Sequence, residues 1–365
     1  MAQEATNLQY QASATPAFVS WHSTRGSGEG HQFFLPIEGI TKFAVGSAVS
    51  AEAGVKTGYI ASSNQSPSTH GTVSSPTDTT THLQFAYEGF ESVQPFVTFD
   101  MNLPTGKATL RGREKYAVMD RDLVFQTRFG EGWNFNPGIG VTIPFGQSLV
   151  ATLAVGYNFR GSYVPDGDTG LRYKPGDQTV VTAGLQYLSE DWLLSVTGIL
   201  TRETTSELAG IEFFRPGTSF AILGRGAYKW DAQHATTASL YFNNTNKNAV
   251  LDFFTGALLP EEDNSNSALT IGRLSHQYDV SSRWGVFGAV ELLYRDDNLY
   301  DEVSDLFIPA KTKATFEGGL VLKYSPAVTG NVSAGVFSLR QASTPYTGSQ
   351  RYEGFIGRAN LAVAF

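Results

Sequence analysis

From Phe43 to Tyr59 the apolar side chains fall on every second position (Phe43, Val45, Val49, Ala51, Ala53, Val55, Tyr59), with Glu52 and Lys56 on the other face. A period of two is that of a strand. The same alternation returns in Leu83, Phe85 and Tyr87; in Val97, Phe99, Met101 and Leu103; in Trp133, Phe135, Ile139, Val141 and Ile143; and in Leu149, Leu153, Val155, Tyr157 and Phe159. It continues through Val181–Tyr187, Trp192–Leu200, Phe220–Trp230, Trp284–Tyr294 and Phe316–Tyr324, where Thr, Ser, Asn, Gln and Gly fill the opposite faces. Several runs are twice the ~5–6 residues of an ordinary globular strand. They match instead the ~9–11 residues that a tilted strand needs to cross a bilayer. Two segments are less regular. In Leu269–Tyr278 the apolar set changes face near Gly272, as at a bulge, and Val332–Leu339 is apolar on both faces; both are read as strands.

Short and long connections alternate, the arrangement of barrels with tight periplasmic turns and longer outer loops. Tight turns are expected at 88–92, 145–147, 189–191, 231–233, 280–283 and 325–331. Strands then fall near 42–62, 80–91, 92–103, 133–144, 148–161, 178–190, 191–202, 218–230, 233–244, 267–279, 283–295, 312–324, 331–342 and 352–365. The fold expected is all-β, a transmembrane antiparallel barrel of about 14 strands. The even count puts both termini on the periplasmic side, and segment 104–132 is left as a loop because a strand there would break the alternation. Tyr187, Trp192, Trp230, Trp284 and Tyr324 all stand beside expected tight turns, where interfacial girdle residues belong. The chain stops on Phe355, Gly357, Ala359, Leu361, Val363 and Phe365 on one face, an ending that resembles the last strand of bacterial outer-membrane barrels.

Residues 1–41 precede this barrel, which takes 42–365. Pro16, Pro36 and the Gly-rich stretch 25–30 argue against regular structure there, leaving a periplasmic tail or a lumenal plug. The apolar surface of His31, Phe33, Phe34, Leu35, Ile37 and Ile40 would be costly in a tail and favours the plug.

Composition agrees with a lipid-facing wall. Only 16% of residues are charged while 13% are aromatic, against about 25% charged in globular domains. No apolar stretch approaches the ~20 residues of a transmembrane helix. The absence of cysteine excludes disulfides, thiolate metal sites and a thiol nucleophile. A net charge of -8 without a block of Lys or Arg argues against nucleic acid as a partner. Met1-Ala-Gln-Glu-Ala has neither a basic n-region nor an apolar h-region, so the chain reads as a mature one with a start Met added.

The lumen is expected to hold Glu52, Lys56, Glu88, Asp100, Arg160, Arg225, Lys229, Glu291, Arg295, Glu317, Lys323 and Arg358, nearly balanced in sign and suited to internal ion pairing. The outer loops are unusually apolar: Ile211, Phe213 and Phe214 in one; Val250, Leu251, Phe253, Phe254, Leu258 and Leu259 in another; Leu306, Phe307 and Ile308 in a third. Apolar clusters facing water mark binding surfaces, and these could form a vestibule or pack together to close the mouth. Catalysis has little to work with, since the six His show no motif. Asp166-Gly167-Asp168 and Glu261-Glu262-Asp263 follow no full Ca²⁺ loop pattern and read as solvated acidic loops.

A barrel of this size, preceded by some 40 unassigned residues and carrying apolar outer loops, resembles the FadL-type outer-membrane channels for hydrophobic compounds. Leu103-Pro104-Thr105-Gly106-Lys107, Phe129-Gly130-Glu131-Gly132-Trp133-Asn134-Phe135-Asn136-Pro137-Gly138 and Gly156-Tyr157-Asn158-Phe159-Arg160-Gly161 look like the barrel proteins named for meta-cleavage phenol degradation. The asparagine-proline-alanine signature of the FadL plug is missing, with Thr15-Pro16-Ala17 only a faint echo. The resemblance implies passive uptake of small aromatic or alkyl molecules. Phe213, Phe214, Leu251, Phe253, Phe254, Leu258 and Phe307 would capture the ligand, and Phe33, Phe34 and Leu35 would line its path in the plug. It implies no enzyme activity and no cofactor or metal; the partners would be outer-membrane lipid and a small hydrophobic ligand, with a protein partner left open. The alternative is a conduit or porin for polar solutes or polysaccharide acting with partner proteins.

Overall fold

The computed structural model describes residues 8–26 and 28–365. The opening Met-Ala-Gln-Glu-Ala lies outside the described residues, as does Ser27 of the Gly-rich stretch. Among the described residues, sixteen antiparallel strands close on themselves. They are β1 (Gln9–Ala14 and Ala17–Ser23), β2 (Glu29–Ala44), β3 (Val49–Gln65), β4 (His70–Pro76 and Thr79–Tyr87), β5 (Gln94–Leu103), β6 (Asn134–Phe145), β7 (Leu149–Arg160) and β8 (Gln178–Leu188). The circuit continues with β9 (Trp192–Glu203), β10 (Ser219–Lys229), β11 (His234–Thr245), β12 (Leu269–Asp279), β13 (Trp284–Arg295), β14 (Lys311–Ser325), β15 (Val328–Gln341) and β16 (Gln350–Ala364). Strand β1 pairs with both β2 and β16, which joins the ends of the sheet and leaves no open edge. Tyr10 and Phe365 exchange backbone hydrogen bonds at 2.9 Å, so the two ends of the wall meet at one rim.

The expected fourteen strands are the last fourteen of these. The two additional strands come from the segment expected to form a plug. Residues 9–44 are wall, because their alternation is that of the rest: Phe33 and Ile37 turn outward beside Phe18 and Ala14, while Gln32 and Phe34 turn inward. The supposed breakers are tolerated locally. Pro16 separates the two halves of β1 without shifting its register, since Ala14 faces Leu361 and Ala17 faces Arg358. Pro36 still accepts a hydrogen bond from Thr15 through its carbonyl.

The bulge expected near Gly272 is absent. Strand β12 keeps one register from Leu269 to Tyr278 against β11 and β13. Its change of pattern arises because Leu269 is buried on the inner face near the mouth while Leu274 faces lipid. A bulge does occur in β4. Tyr59 faces Pro76 but Lys56 faces Thr80, so three steps along β3 match four along β4. Bulges re-aim side chains, and the one aimed here is Asp78.

Outward positions carry exposed aliphatic and aromatic residues around the whole circuit. Tyr87, Phe145, Tyr187, Trp192, Trp230, Trp284 and Tyr324 mark the rim that holds the termini. At the other rim the wall rises on one side as a five-stranded sheet, formed by Tyr173–Lys174, Ser206–Leu208, Ile211–Arg215, Ala249–Leu251 and Leu258–Pro260. Residues 104–133, the long connection from β5 to β6, behave differently. They fold against the inner wall and contain one short 3₁₀ helix, Gly112–Ala117.

Candidate functional site

The loop 104–133 is seated by two apolar patches. Met119 and Leu123 pack with Val19, Trp21, Phe337, Leu339 and Ile356, all inward-facing residues of β1, β15 and β16. Ala117 and Phe129 pack with Ile60 and Val73 of β3 and β4, flanked by Phe34 and Leu110. This explains why β15 is apolar on both faces: one faces lipid and the other faces the loop. The approach is close enough to need glycine in the wall. A Cβ on Gly71 would stand 2.4 Å from the Ala117 nitrogen, and one on Gly30 would stand 2.7 Å from the Met119 sulfur.

Polar anchors fix the register of the loop. Asp78 Oδ1 accepts the Gly106 N–H at 2.8 Å, and its Oδ2 accepts the Glu131 N–H at 2.7 Å and Asn102 Nδ2 at 2.9 Å. One carboxylate thereby ties both ends of the loop to the bulge in β4. Gln32, on β2, receives the N–H groups of Phe125 and Gln126 on Oε1 at 3.0 and 2.9 Å and donates from Nε2 to the Gln126 carbonyl at 2.8 Å. At the loop's turning point Asp122 takes two hydrogen bonds from Arg295 of β13, Lys311 pairs with Asp120, and Lys313 donates to the Asp122 carbonyl at 2.7 Å. Burial would raise the Asp122 pKa, but the hydrogen bonds from Arg295 and the fields of Arg295 and Lys311 outweigh it and hold the carboxyl below the ordinary aspartate value.

The next outer loop, 161–177, clamps the 3₁₀ helix from above. Asp168 and Asp166 both bond Lys115, at 2.9 and 3.1 Å, and the Gly112 N–H donates to Asp168. These two carboxylates hold the lysine pKa above its usual value. The Asp-Gly-Asp run therefore serves as a latch on the loop. Glu261 caps backbone instead, accepting from Asn248 and Ser265. Among the described residues no group of three or more His, Asp and Glu is arranged to hold a metal ion.

Most of the expected lumen residues do face inward, and many are paired. Glu52 bonds Lys42 at 2.9 Å, Arg160 bonds Glu203 at 3.1 Å, and Lys323 bonds Asp279 at 2.6 Å. Glu317 collects Arg273 and Arg358 at 2.9 and 2.6 Å and a hydrogen bond from Ser333, beside a cavity of about 410 Å³. Asp100 bonds His82, and Glu291 lies 3.6 Å from Arg273. Glu88 does not belong to this set, since it sits in the exposed turn after β4. Arg225 and Lys229 of β10 face inward with no carboxylate in ion-pair range among the described residues. Lys56 lines a cavity of about 510 Å³ between the β4 bulge and the loop, with Phe34, Asp78 and Phe125.

Six of the seven expected capture residues lie on the raised side of the outer rim, and they do not form one cluster. Phe213 meets Tyr173 edge to face and Phe214 at a tilt, with ring centroids 6.2 Å apart in each case. Leu251 and Leu258 are cross-strand partners. Phe253 and Phe254 project from the hairpin tip, 90% and 101% exposed. Asp252 shapes that tip by accepting the Phe254 N–H and the Thr255 hydroxyl. Phe307 is half-buried in the separate loop between β13 and β14. Of the three expected path residues only Phe34 faces the loop; Phe33 and Leu35 lie on the opposite face of β2. Asp78, Gln32 and Asp122, which carry the anchoring, were not singled out by sequence.

A closed antiparallel wall with an aliphatic belt outside, aromatic residues at its rim and a charged interior defines an integral barrel of the bacterial outer membrane. In sequence, residues 124–254 match the family described as "Putative MetA-pathway of phenol degradation". In structure the chain is similar to OccAB3 of Acinetobacter baumannii (TM-score 0.50, 8% identity, 98% of this chain and 99% of that one). It is also similar to a FadL homologue of Pseudomonas aeruginosa (TM-score 0.47, 8% identity, 98% and 90%). A mutant of the TodX monoaromatic hydrocarbon channel matches with TM-score 0.46 and 11% identity, over 98% and 90% of the two chains. No curated relative matches the sequence. The family match covers two of the three motifs read from the residues, those at 129–138 and 156–161, and runs from the end of the inner loop to Phe254.

Proposed function

We propose that this protein is an outer-membrane channel for passive uptake of small hydrophobic molecules, aromatic ones above all, with the lumen closed by the loop 104–133. The observation that carries the reading is the pairing of an apolar outer rim, with Phe253 and Phe254 held out to solvent, and an inner loop anchored across the wall. Exposed aromatic surface of that kind captures apolar solutes from water. The family match supports the ligand class, because it takes in the exposed hairpin and is described by phenol degradation. The cavity beside Lys56, Phe34 and Phe125 would hold a ligand of one ring between the rim and the lumen. Cargo would move down its own gradient.

A porin-like reading for polar solutes is favoured by one feature, the unpaired Arg225 and Lys229 on the inner face of β10. Uptake of radiolabelled phenol and toluene by intact cells with and without the protein distinguishes the two. Cells carrying it should take up phenol and toluene several-fold faster at low external concentration, with glucose and benzoate uptake unchanged. Rapid glucose entry would support the porin.

A further inference from the structure

The lipid-facing surface changes character at one place. On β16 the outward residues within 355–363 are apolar or glycine, on β15 those within 328–336 are Val, Gly and Ala, and on β1 those within 10–18 run from Tyr10 to Phe18. Each run is nine positions long, the low end of what a tilted strand needs to cross the hydrocarbon core. Immediately above, the same faces carry Ser20 and His22, Ser338 and Arg340, and Glu353 and Arg351. These residues therefore stand at the level of the outer-leaflet head groups.

A groove of about 550 Å³ opens on this outward surface. Phe316, Val336 and Phe355 form its apolar floor; Ser20, His22 and Glu353 form its polar rim. Ala314, lacking bulk, leaves it open on the β14 side. Above the rim Arg340 and Arg351 are direct cross-strand partners. Like charges set opposite each other destabilise a sheet. Arg351 is partly satisfied by Glu353 at 2.7 Å and by Ser338 at 3.2 Å. Arg340 is exposed and has no carboxylate within ion-pair range among the described residues. Arg25 reaches the same edge, bonding Ser349 at 3.1 Å.

We propose that this groove is a binding site for a phosphorylated glycolipid of the outer leaflet. An acyl chain lies over Phe316, Val336 and Phe355. Ser20, His22 and Glu353 meet sugar hydroxyls. A phosphate bridges Arg340 and Arg351, relieving their repulsion through the forked hydrogen bonds that guanidinium makes to phosphate. A phospholipid has the chain and the phosphate but no sugar, and inorganic phosphate has no chain, so neither uses the whole site.

The test is native mass spectrometry of the full-length protein released from detergent, with diphosphorylated lipid A, dephosphorylated lipid A, phosphatidylethanolamine and inorganic phosphate as separate probes. Wild type should retain diphosphorylated lipid A at least tenfold better than the other three. Arg340→Gln and Phe355→Ser should each remove most of that preference, and Arg202→Gln, an outward arginine on β9, should leave it intact. Folding of each variant is read from its heat-modifiable migration. If Arg340→Gln does not fold, Arg340→Lys keeps the charge but loses the fork, and should lower the preference several-fold. Equal retention of lipid A and phosphatidylethanolamine by wild type, or full retention by a folded Arg340 variant, would overturn the proposal.

Discussion

Asp122 and Arg295, 173 residues apart in sequence, form a forked ion pair inside the barrel: Nη2 to Oδ1 at 2.7 Å and Nε to Oδ2 at 2.9 Å. The Asp122 side chain is 3% exposed. Removing one member of such a pair strands the other charge, at a cost of about 3–5 kcal/mol. The loop is exposed to this cost at its turning point, where Arg121 and Arg128 offer cleavage sites. In intact cells wild type should resist externally added trypsin in this loop, and Asp122→Ala should be cut there. Equal resistance of the variant would show that the pair does not hold the loop in place.

Asp78 ties both ends of the loop, through Gly106 and Glu131. Asp78→Ala leaves two backbone N–H groups without their acceptor, each worth about 1–3 kcal/mol. Hydrogen exchange should speed at residues 105–107 and 130–132 together in this variant while strands β8–β12 keep wild-type protection. Loosening at one end alone would contradict the shared anchor.

Gly71 leaves no space for a side chain, because its Cβ would lie 2.4 Å from the backbone of Ala117. Gly71→Val should lower the temperature at which the folded band disappears in heat-modifiability gels and expose the loop to protease as Asp122→Ala does. The nearby substitution Ser74→Val, on the outward face, should do neither. A harmless Gly71→Val would mean the loop does not lie against β4.

The acid response follows from the depressed pKa of Asp122. A carboxyl whose folded pKa lies below its free value stabilises the folded arrangement at pH values above the free value, and this contribution is lost as pH falls through the folded one. The free value is 3.8. Protease resistance of the loop should therefore stay constant from neutral pH down to 3.8 and weaken only below it, read with proteinase K above pH 5 and with pepsin below. Loss of resistance between pH 7 and 5 would point to another titrating group.

At the rim, Phe253 and Phe254 are the most exposed aromatic side chains, displayed by a turn that Asp252 caps and Gly256 closes at φ +69°. Replacing both with Ser should reduce phenol uptake several-fold at low external concentration and leave the protease resistance of the inner loop unchanged. Unaltered uptake would remove the capture role from this hairpin.

The wall was legible because lipid outside and charge inside impose a strict period of two on β3–β16. The same period runs through Phe33, Leu35 and Ile37, but Pro16, Pro36 and the glycines near residue 28 outweighed it, and two strands were missed. The inner loop has no period at all, since Met119, Leu123 and Phe129 are buried by an irregular backbone. Its signal lay in the wall. Val332–Leu339, apolar on both faces, and Trp21, the one tryptophan away from the girdles, mark where the loop sits. Asp78 could not be found from spacing, because its orientation depends on the bulge, and a bulge shows only when register against β3 is known.

Planar-bilayer recording of the purified protein beside an Asp78→Ala/Asp122→Ala double variant tests the closing loop most directly. Wild type should be nearly silent at neutral pH, while the double variant should show large, stable open steps of nanosiemens size. Large steps in wild type, or two indistinguishable recordings, would contradict it.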